Sequence, residues 1–122
     1  MPASPVLSGG ANYAAATVTQ TGPDIQSPGA RGVRLVLSVT AAGTGSITVA
    51  IQGKDKQSGQ YYTLLTGVAV TANGNYIYTV FPGATAAANV VANDFIPEIW
   101  RWTVTANNAN PATYSVGFST LV

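Results

Sequence analysis

Val33-Arg34-Leu35-Val36-Leu37-Ser38-Val39-Thr40 sets Val33, Leu35, Leu37 and Val39 against Arg34, Val36, Ser38 and Thr40. That alternation has the period of two required of a strand with one buried face. The period returns in Ile47-Thr48-Val49-Ala50-Ile51-Gln52 and in Trp100-Arg101-Trp102-Thr103-Val104-Thr105. Ala42-Gly43-Thr44-Gly45 separates the first two runs and is turn material. A polar loop, Lys54 to Gly59, leads into a strand over 61–65, so this strand and the Ile47 run are predicted to form a hairpin. Asn73-Gly74-Asn75 marks a second turn, because Asn and Gly tolerate the positive φ of tight hairpins, and a strand over 76–81 follows. Pro82-Gly83 ends it. Asn107-Asn108-Ala109-Asn110-Pro111 then turns the chain into a last strand over 114–121. About seven or eight short strands separated by Gly, Asn and Pro turns predict an all-β fold, an antiparallel, jelly-roll-like β-sandwich. Residues 84–93 have helix-compatible composition and fit a helix or a long loop.

The sandwich domain is expected over residues 32–122. Residues 1–31 read differently: Pro2, Pro5, Gly9, Gly10, Pro23, Pro28 and Gly29 oppose helix and central-sheet packing. They suggest an extended N-terminal arm with room for one edge strand in the stretch from Tyr13 to Gln20.

Nine of the 122 residues are charged, five basic and four acidic, for a net charge of +1. An ordinary domain is about a quarter charged. At 12.4 kDa the chain suits a single domain, for which area scaling gives a folded surface of ~6,100 Å². Nineteen of its residues are alanine, so the core rests on the larger apolar side chains. Arg31, Arg34, Lys54, Lys56 and Arg101 are dispersed and form no basic patch for nucleic acid. No run approaches the roughly 18 apolar residues of a membrane span, and the start of the chain lacks the pattern of a signal peptide. Synthesis in a cytoplasm is the simplest expectation.

The chemistry of catalysis is sparse. There is no histidine and no cysteine, which removes a Ser-His-Asp triad, a thiolate metal site and a disulfide framework. The carboxylates are Asp24, Asp55, Asp94 and Glu98, with only the last two near each other in sequence. They suggest solvated loop charges rather than a glycosidase pair. Asn93, Asp94 and Glu98 match no calcium-loop spacing, and Gly43-Thr44-Gly45 lacks the lysine of a phosphate loop. No enzymatic activity, cofactor or metal is expected.

The aromatic set is Tyr61, Tyr62, Tyr76, Tyr78, Trp100 and Trp102. Neighbours on a strand point to opposite faces, so one of Tyr61 and Tyr62 should be buried and the other exposed. Trp100 and Trp102 share a face and are expected in the core. An exposed tyrosine could stack on a sugar or anchor a protein. Low charge suits surfaces covered by neighbours, since interface centres are depleted in Lys, Glu and Asp. Pro2, Pro5, Val6 and Leu7 in the arm, with Tyr61 and Tyr62, are the candidate partner contacts.

Ile51-Gln52-Gly53-Lys54-Asp55, Gly59-Gln60-Tyr61-Tyr62-Thr63-Leu64-Leu65, Phe81-Pro82-Gly83, Asn93-Asp94, Trp100-Arg101 and Tyr114-Ser115-Val116-Gly117 carry a resemblance over residues 32–122. The chain resembles small β-sandwich virion proteins of tailed bacteriophages. That resemblance implies a head decoration, or cement, protein on the capsid exterior, bound to the major capsid protein and clustered with copies of itself, with a trimer as the implied number. A glycan or host-surface binding module displayed on the virion is the competing reading.

Overall fold

The computed structural model describes residues 8–121. Ten strands and no helix lie in this range: β1 (Ser8–Ala16), β2 (Gln20–Thr21), β3 (Ile25–Gln26), β4 (Gly32–Ala41), β5 (Ile47–Lys54), β6 (Tyr61–Thr66), β7 (Gly74–Val80), β8 (Val91–Ala92), β9 (Ile99–Ala106) and β10 (Ala112–Leu121). The strands expected after residue 32 are all present, whereas the edge strand expected from Tyr13 to Gln20 lies earlier, at Ser8–Ala16, and Gln20 belongs to the separate β2. The excess over seven or eight comes from the two-residue pieces β2, β3 and β8.

Two sheets form, β1-β10-β4-β7-β8 (sheet A) and β2-β9-β5-β6 (sheet B), with β3 also paired to β9. Four antiparallel pairings nest inside one another along the chain: β1 with β10, β2 with β9, β4 with β7, and β5 with β6. They describe one long hairpin, which the pairings β10–β4 and β9–β5 roll up on itself. Nested pairing followed by this roll is the strand order of a jelly roll.

Alternation decides which residues fill the space between the sheets. Val33, Leu35 and Leu37 are fully buried from sheet A, and Val49, Ile51, Trp100, Trp102 and Val104 from sheet B. Phe118 of β10 bridges the layers, edge-on to Trp100 at 5.1 Å and tilted against Trp102 at 5.9 Å. Such aromatic pairs add about 0.5–1.5 kcal/mol beyond their buried area. The accessible surface is 6277 Å², close to the value that chain length implies.

The β5–β6 hairpin forms as its sequence predicts. Asp55 organises the loop: its carboxylate accepts hydrogen bonds from the backbone of Gln57 and Ser58 and from the Ser58 hydroxyl. Gly59 closes it at φ 75°, where a side chain would be strained. Asn73-Gly74-Asn75 has a different role from the expected hairpin turn. Residues 67–73 carry the chain from sheet B to sheet A, held by the Ile47–Val70 bridge and by Asn73, whose Oδ1 accepts the Ala42 N–H at 2.8 Å. β7 then starts at Gly74.

Residues 84–93 form turns and contain no helix. Their alanines offer no apolar stripe to bury, and Asn89 adopts a left-handed φ of 65°. The segment contributes Val91–Ala92 as a parallel partner of β7. Residues 8–31 contribute strands to both sheets: β1 is an edge of sheet A, and β2 and β3 lie on β9 of sheet B. Pro23 separates β2 from β3 because it has no N–H for the ladder.

Candidate functional site

Pro2, Pro5, Val6 and Leu7 lie outside the described residues. Tyr61 and Tyr62 sit at the start of β6, opposite Lys54 and Gly53. Neither is fully buried, contrary to the strict alternation expected of them: Tyr61 is half-buried and Tyr62 is 44% exposed. The reason is their place at a sheet edge, where the inward-pointing Tyr62 ring passes over Gly53 and Pro97 rather than into the core.

Tyr61 belongs to a polar cluster on the outer face of sheet B. Its hydroxyl donates to Asp24 Oδ1 at 2.6 Å, and Lys54 Nζ bonds the other carboxylate oxygen at 3.0 Å. The Arg101 guanidinium lies 3.5 Å from the Tyr61 ring centroid while its Nε donates to Gln52 Oε1 at 2.8 Å. The Tyr61 hydroxyl, and after it Lys54, hold the Asp24 carboxyl below its ordinary pKa. One ring face of Tyr61 is therefore already occupied by a cation, which removes it as a stacking platform for a sugar. The cluster ties the segment before β3 to β5 and β6.

The other carboxylates are engaged separately. Asp55 caps its own loop, Asp94 accepts the Phe95 N–H, and Glu98 faces Lys56 at 3.4 Å. Asn93 is turned away to accept the Gly83 N–H. Among the described residues no three Asp or Glu side chains gather as a metal site would require.

The distribution of charge is the most distinctive surface property. One end of the sandwich is made by the connections 17–19, 42–46, 67–73 and 107–111, which carry no charged residue. Asn and hydroxyl side chains bind this end together: Asn107 donates to Ser46 and Thr48, Asn108 to the Thr44 carbonyl, and Thr19 accepts the Ala106 N–H. Val18 and Val68 are both more than 60% exposed there. All nine charges lie toward the opposite end, six of them outside the strands: Asp24, Arg31, Asp55, Lys56, Asp94 and Glu98.

The outer face of sheet A extends the neutral surface. Its cross-strand rows are Ser8–Ser119–Arg34–Thr79, Gly10–Gly117–Val36–Ile77 and Asn12–Ser115–Ser38–Asn75. Arg34 is the one charged residue on the five strands of this sheet. Small side chains leave the face flat, with shallow depressions of about 490 Å³ beside Arg34, Val36 and Gly117 and about 300 Å³ beside Asn12, Thr40 and Ser115. Ile77 is 51% exposed next to Val36. No single residue in the sequence announces this surface. Its signal was the even-numbered positions of the Val33 run read together with Gly10, Gly117 and the serines of β10, a juxtaposition that only the pairing register creates.

No family model matches the chain, and no curated protein matches it in sequence. Solved structures share its fold. One is the SPBc2 prophage-derived protein YomS, at 10% identity and a TM-score of 0.53, with 98% of each chain covered. Another is the structure described as "Bacillus endospore appendages form a novel family of disulfide-linked pili", at 14% identity and a TM-score of 0.52, with 100% of this chain and 96% of that chain covered. The chain thus has the same overall β-sandwich fold, over its whole length, as a prophage-derived protein and a spore-appendage protein.

Proposed function

We propose that this chain is a structural subunit of a phage-type particle that decorates and reinforces a capsid by binding the major capsid protein. The partition of charge carries this reading. A neutral, flat sheet face and a charge-free end can be covered by neighbours without stranding ions in a dry interface, where each unpaired charge costs several kcal/mol (about 3–5 when one partner of a buried pair is removed). The charged end and the Asp24–Lys54–Arg101 cluster stay in water and supply solubility. Ser8, the first described residue, lines the Arg34 depression, and Pro2, Pro5, Val6 and Leu7, which precede it in sequence, complete the proposed contacts on the shell.

The fold shared with a prophage-derived protein supports a virion setting, and the fold shared with a pilus-forming protein supports assembly. The 122 residues contain no cysteine, so they cannot supply disulfide links of the kind named for the pili. Quantitative mass spectrometry of purified particles tests the proposal. A decoration protein is present in many tens of copies and co-purifies with heads. A few copies per particle, or recovery with tails alone, overturns the reading.

A further inference from the structure

Open sheet edges present unpaired N–H and C=O groups, and soluble proteins blunt them with charge, proline, bulges or brevity. Among the described residues, the edges of this sandwich differ sharply in that respect. β8, β2 and β3 are two residues each, and Pro23 interrupts the last two. β6 has six residues but contains a register shift, and the Asn89 amide caps the Thr66 carbonyl at its end. Lys54 and Lys56 flank its start.

β1 has none of these protections over its first six residues. Ser8-Gly9-Gly10-Ala11-Asn12-Tyr13 pairs regularly with β10, carries no charge and no proline, and contains no buried residue. The irregularity of this strand comes later, between Tyr13 and Ala16. In an antiparallel ladder alternate residues direct their backbone groups away from the existing partner, so this segment offers a ready template on its free side.

We propose that residues 8–13 of β1 pair antiparallel with the same residues of a second copy of this chain. Three observations select the copy as the occupant. Residues 8–13 form the longest unbroken edge ladder among the described residues, so only a second copy of β1 offers an edge of equal length within this fold. It meets itself without repulsion, because neither β1 nor the adjacent β10 carries a charged residue. Gly9 and Gly10 add no side chain, so two ribbons can approach closely along their edges.

Pairing of identical edges about a two-fold axis consumes both edges and closes the assembly at two, in place of the three-fold clustering that the phage resemblance implies. It also joins two copies of sheet A side by side and doubles the neutral outer face. The inference deepens the assembled-subunit reading and rests on it only for the expectation of self-association. Its test uses the purified chain without particles, so its failure leaves particle attachment standing and the reverse.

The experiment combines analytical ultracentrifugation with amide hydrogen exchange followed by NMR, on the full chain and on the double variant Ser8→Lys/Asn12→Lys. Both substituted side chains are exposed on the outer face. At micromolar concentration the unsubstituted chain is expected to sediment at twice 12.4 kDa. Dilution to monomer should accelerate exchange of the outward amides among residues 9–13 by at least tenfold. The double variant should stay monomeric with an unchanged melting temperature. A monomeric unsubstituted chain, a trimer, a dimer that persists in the variant, or a dimer whose outward β1 amides exchange as fast as in the monomer each overturns the proposal. Exchange on the unsubstituted chain decides the matter even where the variant fails to fold.

Discussion

Trp100 and Trp102 stand two residues apart on one face of β9, and both are buried, yet their indole N–H groups have different fates. Trp100 Nε1 donates to the buried Ser27 hydroxyl at 3.0 Å. Trp102 Nε1 has no hydrogen-bond partner among the described residues. An unmade bond to a buried donor costs about 1–3 kcal/mol, while a made one contributes about 1 kcal/mol. Truncation to phenylalanine removes a similar volume at each site but a satisfied group at only one. Trp100→Phe is therefore expected to destabilise more than Trp102→Phe, by about 1 kcal/mol or more, as read from midpoints of urea unfolding. Equal losses would contradict the assignment of the two N–H groups. Tyr114 gives a second residue-scale expectation. Burial, and after it Tyr13, push its hydroxyl pKa up to about 12 from 10.0. The folded form thus prefers the neutral phenol; its stability is intact below pH 10.0 and is lost as pH rises toward about 12. Tyr114→Phe should lose less stability than the unsubstituted chain between pH 9.5 and 12, measured by denaturant unfolding at about those two values. An identical loss would show that Tyr114 is not a source of alkaline instability.

At the scale of elements, β4 shows how much the sequence discloses. The alternation from Val33 to Thr40 identified the buried face, and Val33, Leu35, Leu37 and Val39 all occupy it. Leu35→Asp places an unpaired carboxylate in the core, and the loss should exceed about 4 kcal/mol, enough to unfold a domain with roughly 5–15 kcal/mol in hand. Val36→Asp, one residue along, faces outward and should cost no more than about 1 kcal/mol. Circular dichroism melting of the pair checks the register, and a folded Leu35→Asp or an unfolded Val36→Asp contradicts it. The same logic located the β5–β6 hairpin, where period and turn chemistry agree. It failed where local signals compete with tertiary pairing. Asn73-Gly74-Asn75 looks like a hairpin turn, but β6 and β7 belong to different sheets, and a sheet change leaves no period in the sequence. The proline and glycine of residues 1–31 suggest an arm, yet β1 gains its place from β10, whose paired residues lie 96 to 111 positions further along the chain. Tyr62 broke the expected alternation because β6 is an edge and the core does not reach it.

For the molecule as a whole, the scarcity of charge was visible at once in the composition, but its arrangement was not. The sequence scatters nine charges over 78 positions, from Asp24 to Arg101. The jelly-roll winding collects them toward one end and leaves the other end, and nearly all of sheet A, neutral. Neutrality acquires meaning only when it is contiguous, since a flat uncharged surface is one that water leaves readily when a partner arrives. The central claim is that this surface is the covered one. A cryo-EM map of assembled particles tests it most directly. The expected map shows the jelly roll seated on the shell with the Val36–Ile77 face or the Val18–Val68 end against capsid protein, and the Asp24–Lys54–Arg101 cluster in solvent. A map with the charged cluster packed on the shell and sheet A facing outward, or with no density for the chain at all, would contradict the account.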